Sequence, residues 1–220
     1  MLNNTTLFFI IGRGRSGTTL LRNILNMHPK ICVAPETMFI LHAYSRFANK
    51  TKWTDAVKRK FIKTISGERR FITNLNLEST VLNKEIMSQP EDSSFAQMCM
   101  IPYALFAQKN NARAIILGDK NPIYTIFINK LHSSFPNSKF VYMHRNHKDN
   151  ILSYKNVKFD FNNDKILAYR WVYYNQHILS SSVQQSSLMH QISYEDLIQQ
   201  PEVNLGELCS FLDIEYDPIV

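Results

Sequence analysis

Residues 8–21 read FFIIGRGRSGTTLL, and no other stretch limits the chain as much. A short apolar run ends in a glycine-rich turn carrying Arg13 and Arg15 and passes through Ser16-Gly17-Thr18-Thr19. It then opens into a segment with Leu20, Leu21, Ile24 and Leu25 at helical spacing. A strand feeding a tight loop and then a helix N-terminus has the geometry of a phosphate-binding loop. Successive backbone N–H groups converge on one point, and the aligned peptide dipoles add roughly half a positive charge there. The glycines let the backbone turn and approach an anion closely. A plain tight turn with solvated arginines is the competing reading. The strand before the loop and the helix after it favour the anion site.

The rest of the composition fits a folded protein with an anionic partner. The chain has 220 residues, 45% of them apolar and 20% charged, which suits one domain with a real core rather than a disordered chain. The net charge is +7 and the isoelectric point about 9.3, a balance that suits a polyanionic ligand, nucleic acid or an acidic membrane. The three cysteines, Cys32, Cys99 and Cys209, are odd in number and widely spaced. They read as reduced thiols of a cytoplasmic protein. No leader precedes the first strand, and residues 7–11 are too few to span a bilayer, so no transmembrane segment is expected.

Strands are expected at residues 7–11, 31–34, 114–117, 139–143 and 189–193. Helices are expected at 18–27, 123–135, 148–157, 165–181 and 201–212. Residues 38–111 read as a mostly helical, irregular insertion. Alternating strands and helices predict an α/β fold, a three-layer parallel sheet with helices on both faces. Ligands of such sheets bind beyond the carboxyl ends of the strands.

The loop departs from the G-x-x-x-x-G-K-[ST] pattern of nucleoside triphosphatases. Thr18 occupies the lysine position, and the cation has moved into the loop as Arg15. The strand at 139–143 ends in His144-Arg145, where a triphosphatase would carry an acidic Mg²⁺ ligand. An arginine there repels a divalent cation and suits a second phosphate. Ser153 lies eight residues later in the next helix, placed to join Arg145 as a neutral donor beside a charged fork. These residues predict an anionic nucleotide bound without metal.

At this point the sequence resembles the sulfotransferases that use 3′-phosphoadenosine 5′-phosphosulfate. GRGRSGTTLL is similar to their 5′-phosphosulfate loop, with arginine in place of the commoner lysine. VYMHRNHKDNILSY is similar to their 3′-phosphate segment, with Arg145 and Ser153 at the two expected places. ISYEDLIQQPEVNLGELCSFLDI is similar to their C-terminal stretch, in which a tyrosine, here Tyr194, lies near the adenine. Ser193 and Asp196 also read as a capping box opening a helix. The resemblance implies a P-loop-like fold and one nucleotide donor, with sulfuryl transfer to a hydroxyl or amine. The implied cofactor contacts are Arg13, Gly14, Arg15, Ser16, Gly17, Thr18, Thr19, Arg145, Ser153 and Tyr194.

For the chemistry, Arg15 and Lys120 are the candidate catalytic cations and Glu36 the candidate base. The segment GDKNP resembles that of the protein-tyrosine sulfotransferases, whose lysine faces the leaving oxygen, and APET resembles their glutamate loop. Glu36 could instead cap a helix near Thr37. The arginine that closely follows the glutamate in that branch is missing, and Met38 stands there. The expected acceptor is therefore a carbohydrate, lipid or small hydroxyl compound rather than a peptide. His144 and His147 read as local or solvated rather than as metal ligands, and Trp171, Tyr173 and Tyr174 as core. The competing functions are a divergent P-loop kinase or triphosphatase, and a basic nucleotide- or nucleic-acid-binding module. The second would use the basic run from Lys58 to Lys63, which a solvated helix face explains more simply, so no nucleic acid is expected. Many relatives continue past the equivalent of Leu212-Asp213 with a basic glycine-containing loop over the 3′-phosphate. Here the sequence stops at Val220, so that loop is lacking or the chain is truncated, and cofactor binding is expected to be weaker if it is lacking.

Overall fold

A computed structural model describes residues 6–157 and 162–219. Five strands form the sheet: β1 (Thr6–Ile11), β2 (Ile31–Ala34), β3 (Ile116–Lys120), β4 (Lys139–His144) and β5 (Met189–Ser193). Their order is β2-β3-β1-β4-β5. The pairings of β1 with β4, β2 with β3 and β4 with β5 are all parallel. Helices flank the sheet, so the expected α/β class is borne out. Two compact units hold the described residues: 6–7 with 29–119, and 8–28 with 120–157 and 162–219.

The first unit carries β2, most of β3 and the expected helical insertion. The insertion contains α2 (Phe39–Phe47), α3 (Asp55–Ile65), a single π-helical turn (Phe71–Leu75), α4 (Ser79–Met87) and α5 (Phe95–Asn110). Its core is aromatic. Trp53 stacks on Phe47 at 5.8 Å and meets the edge of Phe61 at 5.2 Å. Phe39 contacts Phe71 and Tyr103 at 5.2 and 5.3 Å. Each such pair adds about 1 kcal/mol beyond the area it buries. Ser94 opens α5 with a reciprocal capping box to Gln97. One expectation fails here. Lys58 is buried, not solvated, and its ammonium donates to Met87 O at 3.1 Å and Gln89 O at 2.5 Å. The end of α4 supplies the carbonyls that let a lysine lie inside.

The strand expected at 114–117 begins and ends later, as β3. Asp119 lies past the end of the expected strand, yet it pairs with Ala34 in the sheet and is fully buried. The Tyr103 hydroxyl donates to one oxygen of its carboxylate, which offsets part of the cost of burying it.

The second unit carries the rest of the sheet with α1 (Thr18–Leu25), α6 (Ile128–Ser134), α7 (His147–Lys155), α8 (Asp164–Leu179), α9 (Tyr194–Gln199) and α10 (Pro201–Phe211). The helix expected at 123–135 is a 3₁₀ segment (Pro122–Phe127) followed by α6. Phe9 anchors this core, with Tyr124, Phe135 and Phe140 within 5.9 Å of it, ring centre to ring centre. Cys32, Cys99 and Cys209 are buried thiols, and burial pushes the Cys99 and Cys209 thiols up. No helix among the described residues is long and apolar enough to cross a membrane.

Candidate active site

The site grows from the turn between β1 and α1. Gly12 has φ +135°, and a Cβ there would run into the carbonyl oxygen of Met143 on β4. Only glycine leaves β1 at this angle beside β4. The Gly12 N–H donates to Thr125 Oγ1 at 2.7 Å, which ties the loop to the 3₁₀ segment. Gly17, in the left-handed region at φ 93°, is the N-cap of α1. No side chain caps that helix and no acidic residue lies in its first turn. Its positive end is therefore open to an anion.

Arg15 also has a positive φ, 65°, a conformation that costs a non-glycine residue about 1 kcal/mol or more. Its exposed side chain is held by Ser153, whose Oγ accepts from Arg15 Nε at 3.1 Å. Arg145, just past β4, donates from Nη1 to Arg15 O at 3.3 Å. Its guanidinium lies 4.2 Å from the centre of the Tyr194 ring. Arg145 Nε is buried and has no hydrogen-bond partner among the described residues. Such an orphaned charged donor calls for an anion. The predicted Arg145, Ser153 and Tyr194 are thus all brought to the Arg15 loop.

Three supporting side chains were not anticipated. Asn150, fully buried on α7, donates to Gly14 O and to Ser16 Oγ, both at 3.0 Å. Tyr154 lies under the guanidinium of Arg13, 4.4 Å from the ring centre, so Arg13 packs inward and is buried. Asn150, Ser153 and Tyr154 stand at i, i+3 and i+4 and share one helix face. That spacing was the available signal. Trp171 on α8 donates from Nε1 to Arg145 O at 3.1 Å. It and Tyr174 are part-exposed and Tyr173 is exposed, so the expected aromatic core is not what α8 supplies. The reason is that Trp171 turns to the loop after β4, where a carbonyl needs a donor.

Ser16 and Thr18 are buried and Thr19 is exposed at the start of α1. Lys120 is buried at the end of β3. Ser193 caps α9, accepting from Asp196 N at 2.9 Å. His144 is half-buried, and burial lowers its pKa against the opposing pull of Glu195 and Asp196.

In the first unit Glu36 does not cap a helix. The N-cap of α2 is Met38, and no side chain caps it. The Glu36 carboxylate instead meets Arg70 Nη1 at 3.3 Å.

The sulfotransferase family model matches residues 8–218. The chain belongs to the sulfotransferase family. The enzyme class expected from sequence is thereby borne out. A putative protein-tyrosine sulfotransferase of Caenorhabditis briggsae is 26% identical over 98% of this chain and 69% of its own length. The protein-tyrosine sulfotransferase of Drosophila melanogaster is also 26% identical, but the chain spans only 39% of that protein. Among solved structures, the sulfotransferase domain of the Synechococcus PCC 7002 olefin synthase superposes with a TM-score of 0.65. It is 22% identical, and the match covers 98% of this chain and 76% of that one. That likeness establishes a shared sulfotransferase fold. The family match runs from β1 to the residues after α10 and takes in every site residue named above.

Proposed function

We propose that this sulfotransferase takes its sulfuryl group from 3′-phosphoadenosine 5′-phosphosulfate and delivers it to the hydroxyl of a polypeptide tyrosine. The observation that carries the donor reading is the orphaned Nε of Arg145 beside the Arg15 loop, with Ser153 and Tyr194 adjoining. The loop N–H groups, the open end of α1 and Arg15 would hold the 5′ end. Arg145 and Ser153 would hold the 3′-phosphate, and Tyr194 would flank the base. The donor, when bound, supplies the sulfuryl group and the 3′,5′-diphosphoadenosine leaving group. Glu36 takes the proton of the acceptor hydroxyl. Lys120 and Arg15 offset negative charge as it develops.

The acceptor reading departs from the carbohydrate, lipid or small molecule expected from sequence. Two things support it. The curated relatives named above are protein-tyrosine sulfotransferases. The first unit also holds a groove of about 780 Å³ lined by His42, Arg46, Lys50, Lys60 and Lys63 together with Phe47. None of its lining residues is acidic, and those four arginine and lysine side chains make no ion pair among the described residues. An acidic stretch flanking a tyrosine suits it.

Thermal melting tests the donor. A ligand at a hundred times its Kd stabilises a protein by about 2.7 kcal/mol. 3′,5′-Diphosphoadenosine should raise Tm with or without Mg²⁺, and ATP should not. A shift with Mg·ATP alone would restore the kinase reading. Radiolabelled sulfate transfer to a glutamate-flanked tyrosine peptide, against a phenol, a glycan and a lipid alcohol, tests the acceptor. Transfer to the glycan or the lipid alcohol in preference to the peptide would return the acceptor to the class expected from sequence.

A further inference from the structure

Glu36 and Met38 are tied by three side chains to a segment 30 to 38 positions later. Glu68 is buried, and its Oε2 accepts from Met38 N at 3.0 Å and from Phe71 N at 2.7 Å, while Oε1 accepts from Arg70 N at 2.8 Å. Asn74 Nδ2 donates to Glu36 O at 2.7 Å. Arg70 Nη1 donates to Glu36 Oε2 at 3.3 Å. One buried carboxylate therefore fixes the backbone of Arg70 and the backbone two residues past Glu36. The segment that presents Arg70 and Asn74 includes the π-helical turn Phe71–Leu75, which places Phe71 and Leu75 in the core. Single π-turns are rare and frequently lie at functional sites.

The ion pair itself does little for stability. The Arg70 side chain is 54% exposed and that of Glu36 32%, and pairs of this kind contribute about 0–1 kcal/mol. Its geometric effect is larger. A glutamate at a loop has three side-chain torsions to lose, and a donor on one carboxylate oxygen restricts them.

We propose that Arg70 is a positioning residue that orients the Glu36 carboxylate for proton abstraction. It does so from the helical insertion, 34 positions further along the chain. The proposal rests on Glu36 being the base. Arg70 touches neither donor nor acceptor in this role; it acts through Glu36. A planar guanidinium with paired donors suits the task better than an ammonium.

The test uses the whole chain with 3′-phosphoadenosine 5′-phosphosulfate and a glutamate-flanked tyrosine peptide as probe acceptor. Arg70→Ala should lower kcat by about 100-fold, the scale of a misplaced catalytic group. KM for the donor and the affinity for 3′,5′-diphosphoadenosine should stay within about twofold by calorimetry, since the nucleotide contacts proposed above do not involve Arg70. Arg70→Lys should recover part of the loss. Guanidinium ion at tens of millimolar should restore turnover to Arg70→Ala but not to Glu36→Gln. A crystal structure of Arg70→Ala should show the Glu36 side chain in another rotamer. If Glu36→Gln abolishes turnover while Arg70→Ala retains it, the positioning role is overturned and the base assignment stands. If Glu36→Gln turns over normally, the base assignment fails and the Arg70 role fails with it. Loss of Tm in Arg70→Ala with no guanidinium rescue would make the residue structural and also overturns the proposal.

Discussion

Ser153 Oγ and Arg15 Nε are 3.1 Å apart, so α7 and the turn after β1 share one charge-assisted hydrogen bond across 138 residues of chain. The two segments proposed to bind the donor's phosphates are therefore joined, and a change in one should be felt in the other. Ser153→Ala should weaken 3′,5′-diphosphoadenosine binding by about tenfold, the worth of one hydrogen bond to a charged group. Combining it with Arg15→Ala should cost less than the sum of the two. Isothermal titration of the four proteins reads both results, and strict additivity would mean that the two residues act independently.

Trp171 acts one step further out, through the backbone carbonyl of Arg145. Trp171→Phe keeps the ring and removes the donor. Its expected effect is a loss of about fivefold in nucleotide affinity, about 1 kcal/mol, the usual worth of one neutral hydrogen bond. Arg145→Ala should lose far more, because the charge goes. Equal losses would show that Trp171 matters for packing instead.

Gly12 sits where the backbone has little latitude. Alanine there brings a Cβ onto Met143 O and holds a non-glycine residue at φ +135°. The substitution should destabilise the protein by about 3 kcal/mol or more. Urea denaturation of Gly12→Ala beside Gly206→Ala, whose Cβ meets nothing within 4 Å, checks it.

Glu68 holds three backbone N–H groups with one buried carboxylate. Glu68→Ala leaves those donors without their acceptor and should cost about 3 kcal/mol. Protease nicking between residues 66 and 76 should rise in the same variant, since the contacts that fix this segment are lost. Unchanged cleavage there would argue that the aromatic core alone holds it.

His144 and His190 both have pKa values lowered by burial. Each binds its proton less readily folded than unfolded. Their contribution to stability is complete above about pH 6.5, the unfolded value, and is lost as pH falls through the lower folded values. Tm should therefore drop on acidification below that point. His144→Gln with His190→Gln should flatten this part of the profile, and an unchanged slope would assign it to carboxylates.

Much of the site could be read from residue order. The run at 8–21 specifies strand, turn and helix through apolar spacing and glycine, and Arg145 with Ser153 follows a strand at helical distance. Those are local patterns, and local patterns survive in sequence. Other features were not legible. Asn150 looks like any helix polar residue until Gly14 O and Ser16 Oγ are placed beside it. Lys58 looks solvated until the carbonyls of Met87 and Gln89 close on it. Asp119 lies outside the expected strand, and only the fold shows it buried in the sheet with Tyr103 donating to it.

The sequence by itself determined the alternating α/β order, the glycine-rich turn between the first strand and helix, and the arginines placed in and near it. Periodicity and glycine placement act over a few residues and need no partner. Only the tertiary structure decided that Arg15 bonds Ser153, that Trp171 holds the loop after β4, and that Arg70 rather than a neighbour of Glu36 meets its carboxylate. Each of those contacts joins residues 26 to 138 positions apart. Polar side chains choose partners by distance and desolvation in the folded state, and chain order does not encode either.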